Sequence, residues 1–352
     1  MTCLPDTPLT FASKGIPHRY IQDPTQQTTT LCWKCGGTGQ KPSKPNQKTT
    51  PLDCSPCQGT GTISPVPRTT CKPTIRPFRP PPGWTPRGPR TFGDPHDPLW
   101  APRPGDMLTS LSGHWMIYQL VHGHRYTTDD VLTAAIAVTH MKGTHVDTYV
   151  DLGTGLGSVL GMVAWSLGVP KAIGIEAQGI HVELARKTIL FNGCKNVEIV
   201  HGDLRSTEIH IDPAMLVTGT PPYFPSNRGA LPTHPNRGMC AFELRGGVET
   251  YCFAAARYLK RSDKARFVFC QTGLEIPRSE LAIKHVGMQI HERWDIWGRA
   301  TQTQALICIF CCGWGEWVDN YRVLRLDVRD REGNVSKDMR VLMDVVGKAV
   351  LV

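Results

Sequence analysis

The sequence predicts an α/β protein with a mainly parallel sheet, preceded by a small cysteine-bearing module and a proline-rich linker. Three observations carry this reading. From about residue 107 to the end, strand and helix patterns alternate, the mark of a sheet covered by helices. The first of these strands ends in a glycine turn, VDLGTGLGS (150–158), which opens a helix. In front of this region lie two copies of C-x-x-C-x-G-T-G, then a stretch too rich in proline to form a packed core.

Each element follows from its own pattern. YVDLGTG is a short apolar strand, and SVLGMVAWSLG an apolar helix stopped by glycine. AIGIEA is a second strand, and GIHVELARKTILFNG an amphipathic helix ending at Asn-Gly. VEIVHGD and AMLVTGTPP give the third and fourth strands. ELRGGVETYCFAAARYLK is a helix, RFVFCQ a fifth strand and RSELAIKHVG a further helix. MQIHERWDIWG and ALICIFCCGW have no helix between them and are expected to form an antiparallel hairpin. The tail RVLRLDVRDREGNVSKDMRVLMDVVG reads as a strand, a turn at Glu-Gly-Asn and a final helix.

The 352 residues suffice for one sizeable domain and a smaller module. The expected organisation is a polar segment (1–31), a four-cysteine zinc-binding module (32–63), a Pro/Arg-rich linker (64–106) and the α/β domain (107–352). No apolar run approaches a membrane span, so no membrane partner is expected. The N-terminus lacks the charged and apolar regions of a secretory signal, while its Ser, Thr, Lys and Arg leave an organelle transit peptide open. The thirteen cysteines are odd in number and scattered. Several, such as Cys308, Cys311 and Cys312, sit in an apolar strand pattern, which implies buried free thiols in a reducing compartment, the cytoplasm being the expectation.

The net charge of +9 is uneven. Residues 1–106 hold thirteen Lys or Arg against six Asp or Glu, while the rest holds twenty-six against twenty-four. This favours an anionic partner for the front part, RNA foremost; a solvated basic linker is the alternative. RPFRPPPGWTPRGPR places Trp84 among arginines, where it could stack on unpaired bases or act as a peptide-type ligand.

In LCWKCGGTG (31–39) and DCSPCQGTG (53–61), Cys32, Cys35, Cys54 and Cys57 form two knuckles. Four thiolates at this spacing suit one tetrahedral zinc ion, structural because the ligand set is closed. The alternative is a pair of redox-active cysteine pairs. The repeat resembles the cysteine-rich zinc segment of DnaJ-type chaperones. That likeness covers about thirty residues, two repeats against the family's four, and implies a metal-stabilised module and not a chaperone.

The glycine turn supplies Gly153, Gly155 and Gly157 after Asp151, a spacing one residue short of the dinucleotide fingerprint. Glu176 closes the second strand, where a carboxylate can accept both hydroxyls of a ribose. Asp203 follows the third strand, where it could bond an adenine amino group. In order and spacing these residues resemble the class I S-adenosylmethionine-dependent methyltransferases over about residues 107–312. The resemblance implies a Rossmann-like, seven-stranded sheet with a reversed last strand and S-adenosylmethionine across the strand ends. Asp151 and the glycines would meet its methionine part, Glu176 its ribose and Asp203 its adenine.

LVTGTPPYFP (216–225) then resembles the Asn-Pro-Pro-Tyr or Asp-Pro-Pro-Tyr loop of amino-group methyltransferases, with Thr220 in the first place. The resemblance implies that Thr220 and the Pro221 carbonyl accept hydrogen bonds from a target NH₂, that Pro222 stiffens the loop, and that Tyr223 stacks on a planar target. In-line methyl transfer to such a nitrogen needs no strong base. Upstream, Gly123, Arg125, Tyr126, Thr127, Thr128 and Asp129 resemble the segment before the cofactor loop in bacterial tRNA adenine N6-methyltransferases and their small-domain relatives. By that likeness Thr128 and Asp129 would cap a helix and line the cofactor pocket. NRGMCAFELRGGVE and EGNVSKDMRVLM resemble later segments of the same family. The activity implied is N-methyl transfer to an adenine in tRNA or another structured RNA. Two alternatives stand beside it: a protein N-methyltransferase, since release-factor glutamine methyltransferases use the same loop, and a scaffold that binds cofactor without catalysis.

Overall fold

A computed structural model describes residues 72–76, 81, 83–225, 235–299 and 302–349, together with the backbone of 30–31 and 62–63. The short strands β1 (Thr30–Leu31) and β2 (Thr62–Ile63) pair antiparallel on either side of the cysteine repeat. Cys32, Cys35, Cys54 and Cys57 themselves, and with them the expected zinc module, lie outside the described residues. Among the described residues no group of three or more His, Cys, Asp or Glu could hold a metal ion, and no helix is long and apolar enough to cross a membrane.

A three-stranded sheet comes first. β3 (Thr74–Arg76) runs parallel to β4 (Asp106–Ser112), which turns at Gly113 into the antiparallel β5 (Trp115–Leu120). Most residues of β4 and β5 are buried, so neither strand shows the in–out alternation that would announce it in sequence. The proline-rich segment was expected as an extended linker, yet its described part lies along the domain. The Phe92 and Gly93 amides donate to the Phe191 carbonyl (2.9 and 2.8 Å), and Arg87 reaches the Asp344 carboxylate (2.8 Å).

The main domain follows as α1 (Thr128–Met141), β6 (Thr148–Leu152), α2 (Ser158–Leu167), β7 (Lys171–Glu176), α3 (Gly179–Asn192), β8 (Val197–His201) and β9 (Leu216–Gly219). Then come α4 (Pro235–Ala241), α5 (Val248–Tyr258), β10 (Arg266–Thr272), α6 (Ile276–His285), β11 (Met288–Trp297), β12 (Ile307–Trp314), β13 (Arg322–Asp327) and α7 (Lys337–Val345). The sheet order is β13-β11-β12-β10-β9-β6-β7-β8, with β12 antiparallel to both its neighbours and every other pair parallel.

The sheet therefore has eight strands, not the expected seven. The reversed strand is β12, as the resemblance implies, and β11 and β12 form the expected antiparallel pair. The extra strand is β13. Because β12 runs backward, the chain can return and lay β13 parallel to β11, from Glu292↔Arg322 to Trp297↔Asp327, beyond the far edge.

β6 is buried at every residue and β10 at five of seven, as expected of strands covered on both faces. Phe267, Phe269 and Phe310 stack at 4.8 and 5.1 Å within this core. α3 joins the two sheets. The Asn192 side chain accepts the Met116 amide (3.0 Å) and donates to the Met116 carbonyl (2.7 Å), while Thr188 Oγ1 accepts the Tyr118 amide (3.1 Å). From β6 the chain moves outward to β7 and β8, then returns to place β9 on the other side. Ligands of open α/β sheets sit at such a reversal, outside the carboxyl ends of the strands.

Candidate active site

A cleft of about 230 Å³ opens at that reversal. Its walls come from the glycine loop, the ends of β7 and β8, the TPPYF loop, α4 and the start of α1. The loop exists because Gly153, Gly155 and Gly157 all take positive φ (59, 56 and 83°), where a side chain is strained. At Gly153 a Cβ would also overlap the Tyr251 hydroxyl, and at Gly219 it would come within 2.8 Å of the same ring. Tyr251, on α5, thus fills space that only glycine leaves at two strand ends.

Glu176 lies in the cleft wall, with Oε2 accepting the Gly155 amide (2.9 Å) and Oε1 the Gln178 amide (2.6 Å). Burial raises its pKa against these bonds. Asp203 also lines the cleft, held bidentately by Arg205 (2.9 and 2.8 Å) and approached by Arg245 (3.3 Å). Burial opposes its ionisation, but the two guanidinium groups outweigh burial and hold its pKa low. Beside it, Arg245 Nε is buried and makes no hydrogen bond among the described residues, a donor left over for a ligand.

The structure places Asp151 differently from expectation. It is 2% exposed and does not line the cleft. Its two oxygens accept the hydroxyls of Thr154 and Thr218, each at 2.6 Å, so it fixes the glycine loop to β9 from below. Burial lifts its pKa to about 6 despite these bonds. Thr128 is also displaced. It is exposed and outside the cleft, while Asp129 and Asp130 line it. The cap is made by its neighbours, Thr127 donating its amide to Asp130 Oδ2 (2.9 Å). Successive helical residues point about 100° apart, so a first turn that aims 129 and 130 inward turns 128 outward.

Thr220, Pro221, Pro222 and Tyr223 all line the cleft, as does Phe224. The Tyr223 hydroxyl donates to Asp129 Oδ2 (2.5 Å) and lies 3.1 Å from Cys270 Sγ. Burial first, then the negative charge of Asp129, pushes its pKa well up, so it stays a neutral donor. α4 covers one side. Asn236 Oδ1 accepts the His124 amide (2.8 Å), and its Nδ2 reaches Gln178 Oε1 (3.1 Å) and His181 Nε2 (2.7 Å). Arg237 donates to the Gly123 carbonyl (3.0 Å), tying the same helix to the segment before α1. Burial lowers the His124 pKa, outweighing the pull of Asp129.

Sequence reasoning missed Tyr251, Arg245, His124 and the Asn236–His181–Gln178 cluster. His124 and Arg245 lie beside the motif positions of GHRYTT and ELRGG and not on them, and Tyr251 reaches the cleft from α5. The residues that sequence reasoning did bring together are Gly153, Gly155, Glu176, Asp203 and the TPPYF loop, while Gly157, the N-cap of α2, does not line the cleft.

Strand order, reversed β12, glycine loop and acidic strand ends together give the Rossmann-like arrangement that the resemblance to class I S-adenosylmethionine-dependent methyltransferases implies, extended by one edge strand. No protein-family model matches the chain. It is 34% identical over 95 residues to the ribosomal protein L11 methyltransferase of Clostridium perfringens, a match covering 26% of this chain and 30% of that protein. The chain thus spans under a third of the length of the curated relatives it matches. Among solved structures, a predicted O-methyltransferase from Agrobacterium tumefaciens has a TM-score of 0.48 at 15% identity, over 64% of this chain and 100% of that one. A ribosomal protein L11 methylase from Lactobacillus delbrueckii subsp. bulgaricus has a TM-score of 0.40 at 14% identity, over 59% and 99%.

Proposed function

We propose that the chain is an S-adenosylmethionine-dependent N-methyltransferase acting on a planar amino group, foremost that of an adenine in tRNA or another structured RNA. The observation that carries this is the convergence of the TPPYF loop and the glycine loop on one cleft at the sheet reversal. The residues fit the cofactor. Positive-φ glycines leave room for its backbone-facing part, Glu176 presents a carboxylate to a diol, and the spare Arg245 Nε–H beside Asp203 offers a donor to a purine edge. When bound, S-adenosylmethionine supplies an electrophilic methyl group on its sulfonium. The protein's part is to orient the acceptor. Thr220 Oγ1 and the Pro221 carbonyl accept from the target NH₂, leaving its lone pair free, and Pro222 keeps that pair of acceptors in place.

RNA is favoured by aromatic rings at the cleft and by the basic excess of residues 1–106. A second reading, methylation of a protein amide or amine, is favoured by the match to ribosomal protein L11 methyltransferases. The four cysteines 32, 35, 54 and 57 we assign to one structural zinc, which elemental analysis checks as one equivalent per chain, lost in Cys35→Ser. The test of function is methyl transfer from labelled S-adenosylmethionine into a total RNA and protein extract, with and without RNase. Label in RNA that disappears on RNase treatment supports the lead; RNase-resistant label in protein selects the second reading.

A further inference from the structure

We infer that Phe224, and not Tyr223, is the platform on which the target base stacks, with Tyr223 acting as a positioning residue. This rests on the RNA reading above. A stacking ring must be accessible on one face and fixed on the other. Tyr223 has its hydroxyl bonded to Asp129 and in contact with Cys270, which draws the ring toward α1 and β10. Its ring is half-buried in the cleft wall, and a shift toward a base would break both contacts.

Phe224 meets both requirements. It is 49% exposed at the cleft, and its ring lies 5.6 Å from that of Phe242, tilted by 43°. Phe242, only 7% exposed, backs it from the core. The backbone of Phe224 is pinned on both sides: its amide donates to the Ala241 carbonyl (3.0 Å) and its carbonyl accepts the Glu243 amide (2.9 Å). Glu243 is clamped in turn by Arg278 (2.7 and 3.0 Å). The ring therefore stands on a bridge held at both ends, four residues from Thr220 and so within about 14 Å along the chain. Tyr223 between them anchors the loop to the first turn of α1, where Asp129 and Asp130 line the cleft.

The test measures initial rates of methyl transfer from labelled S-adenosylmethionine to total RNA, against RNA concentration. Phe224→Ala is expected to raise the half-saturating RNA concentration about tenfold to hundredfold, the range that removal of one base-stacking ring produces. S-adenosylmethionine affinity, read by calorimetry, should not change. Phe224→Leu keeps the apolar packing on Phe242 and should show the same rise, which separates lost stacking from lost folding. Phe224→Trp should restore half-saturation to within about threefold. Tyr223→Leu, which removes the tyrosine ring, should lower the maximal rate and leave half-saturation within about twofold. Half-saturation unmoved in both Phe224→Ala and Phe224→Leu, or moved chiefly in Tyr223→Leu, overturns the assignment while the RNA reading stands. No transfer to RNA by the wild-type protein overturns that reading and the assignment with it.

Discussion

Gly153→Ala should cost more than its neighbour Gly155→Ala, although both residues sit in one loop with nearly the same positive φ (59 and 56°). The left-handed backbone charges each alanine about 1–2 kcal/mol. At Gly155 the nearest atom to a new Cβ is 3.9 Å away, so that strain is the whole effect. At Gly153 the Cβ overlaps the Tyr251 hydroxyl and lies 3.0 Å from its Cζ, an overpacking worth about 1–3 kcal/mol more. The two variants should therefore differ by about 1–3 kcal/mol, or roughly 2–10 °C in Tm for a domain of this size. Adding Tyr251→Phe to Gly153→Ala removes the overlapping oxygen and should restore part of the loss. In a double-mutant cycle the two changes should couple by about 1 kcal/mol or more. Scanning fluorimetry and urea unfolding of the ligand-free protein measure all four species. Equal destabilisation at the two glycines, or strict additivity with Tyr251→Phe, would refute the claim that this tyrosine and the loop share one space.

Other expectations follow from the same geometry. Asp130 is buried, and desolvation first, then the charge of Asp129, lifts its pKa to about 7. An unfolded Asp ionises near pH 4, so between about pH 4 and 7 the folded state holds the extra proton and stability falls as pH rises. Asp130→Asn should lose that fall, so its stability relative to wild type should improve from pH 4.5 to 7.5 in urea titrations. Lys348 is half-buried with Nζ 2.8 Å from the Tyr126 hydroxyl, and desolvation lowers its pKa to about 8. Lys348→Met should abolish a rise in stability between about pH 8 and 10, where only the unfolded lysine keeps its proton. Asn192→Ala strips both partners from the Met116 backbone and should cost about 2–4 kcal/mol in urea unfolding.

The legible parts of the fold were those with local periodicity or local punctuation. The helices ending at Gly168 and Gly193 have those glycines in the left-handed cap, as their sequence position suggests. The β11–β12 pair was readable because no helical pattern separates its strands. β4 and β5 were not, since strands buried on nearly every residue lose the alternation that marks a strand. The eighth strand escaped because its own pattern says strand but not which edge it joins. In the site, Glu176 and Asp203 were readable from their places at strand ends. Asp151 sits where the motif puts it, yet Thr154 and Thr218 turn it away from the cleft, and no spacing reveals a side chain's direction. Tyr251 reaches the cleft through a contact almost a hundred residues from Gly153, which only the packed fold shows.

The central claim is that this cleft methylates an amino group of a base. It is tested most directly by nucleoside mass spectrometry of RNA after incubation with the purified protein and methyl-labelled S-adenosylmethionine. The account predicts labelled N6-methyladenosine, reduced at least tenfold by Thr220→Ala through loss of one acceptor to the target NH₂. Cofactor bound with no labelled nucleoside, or label confined to protein, would contradict it.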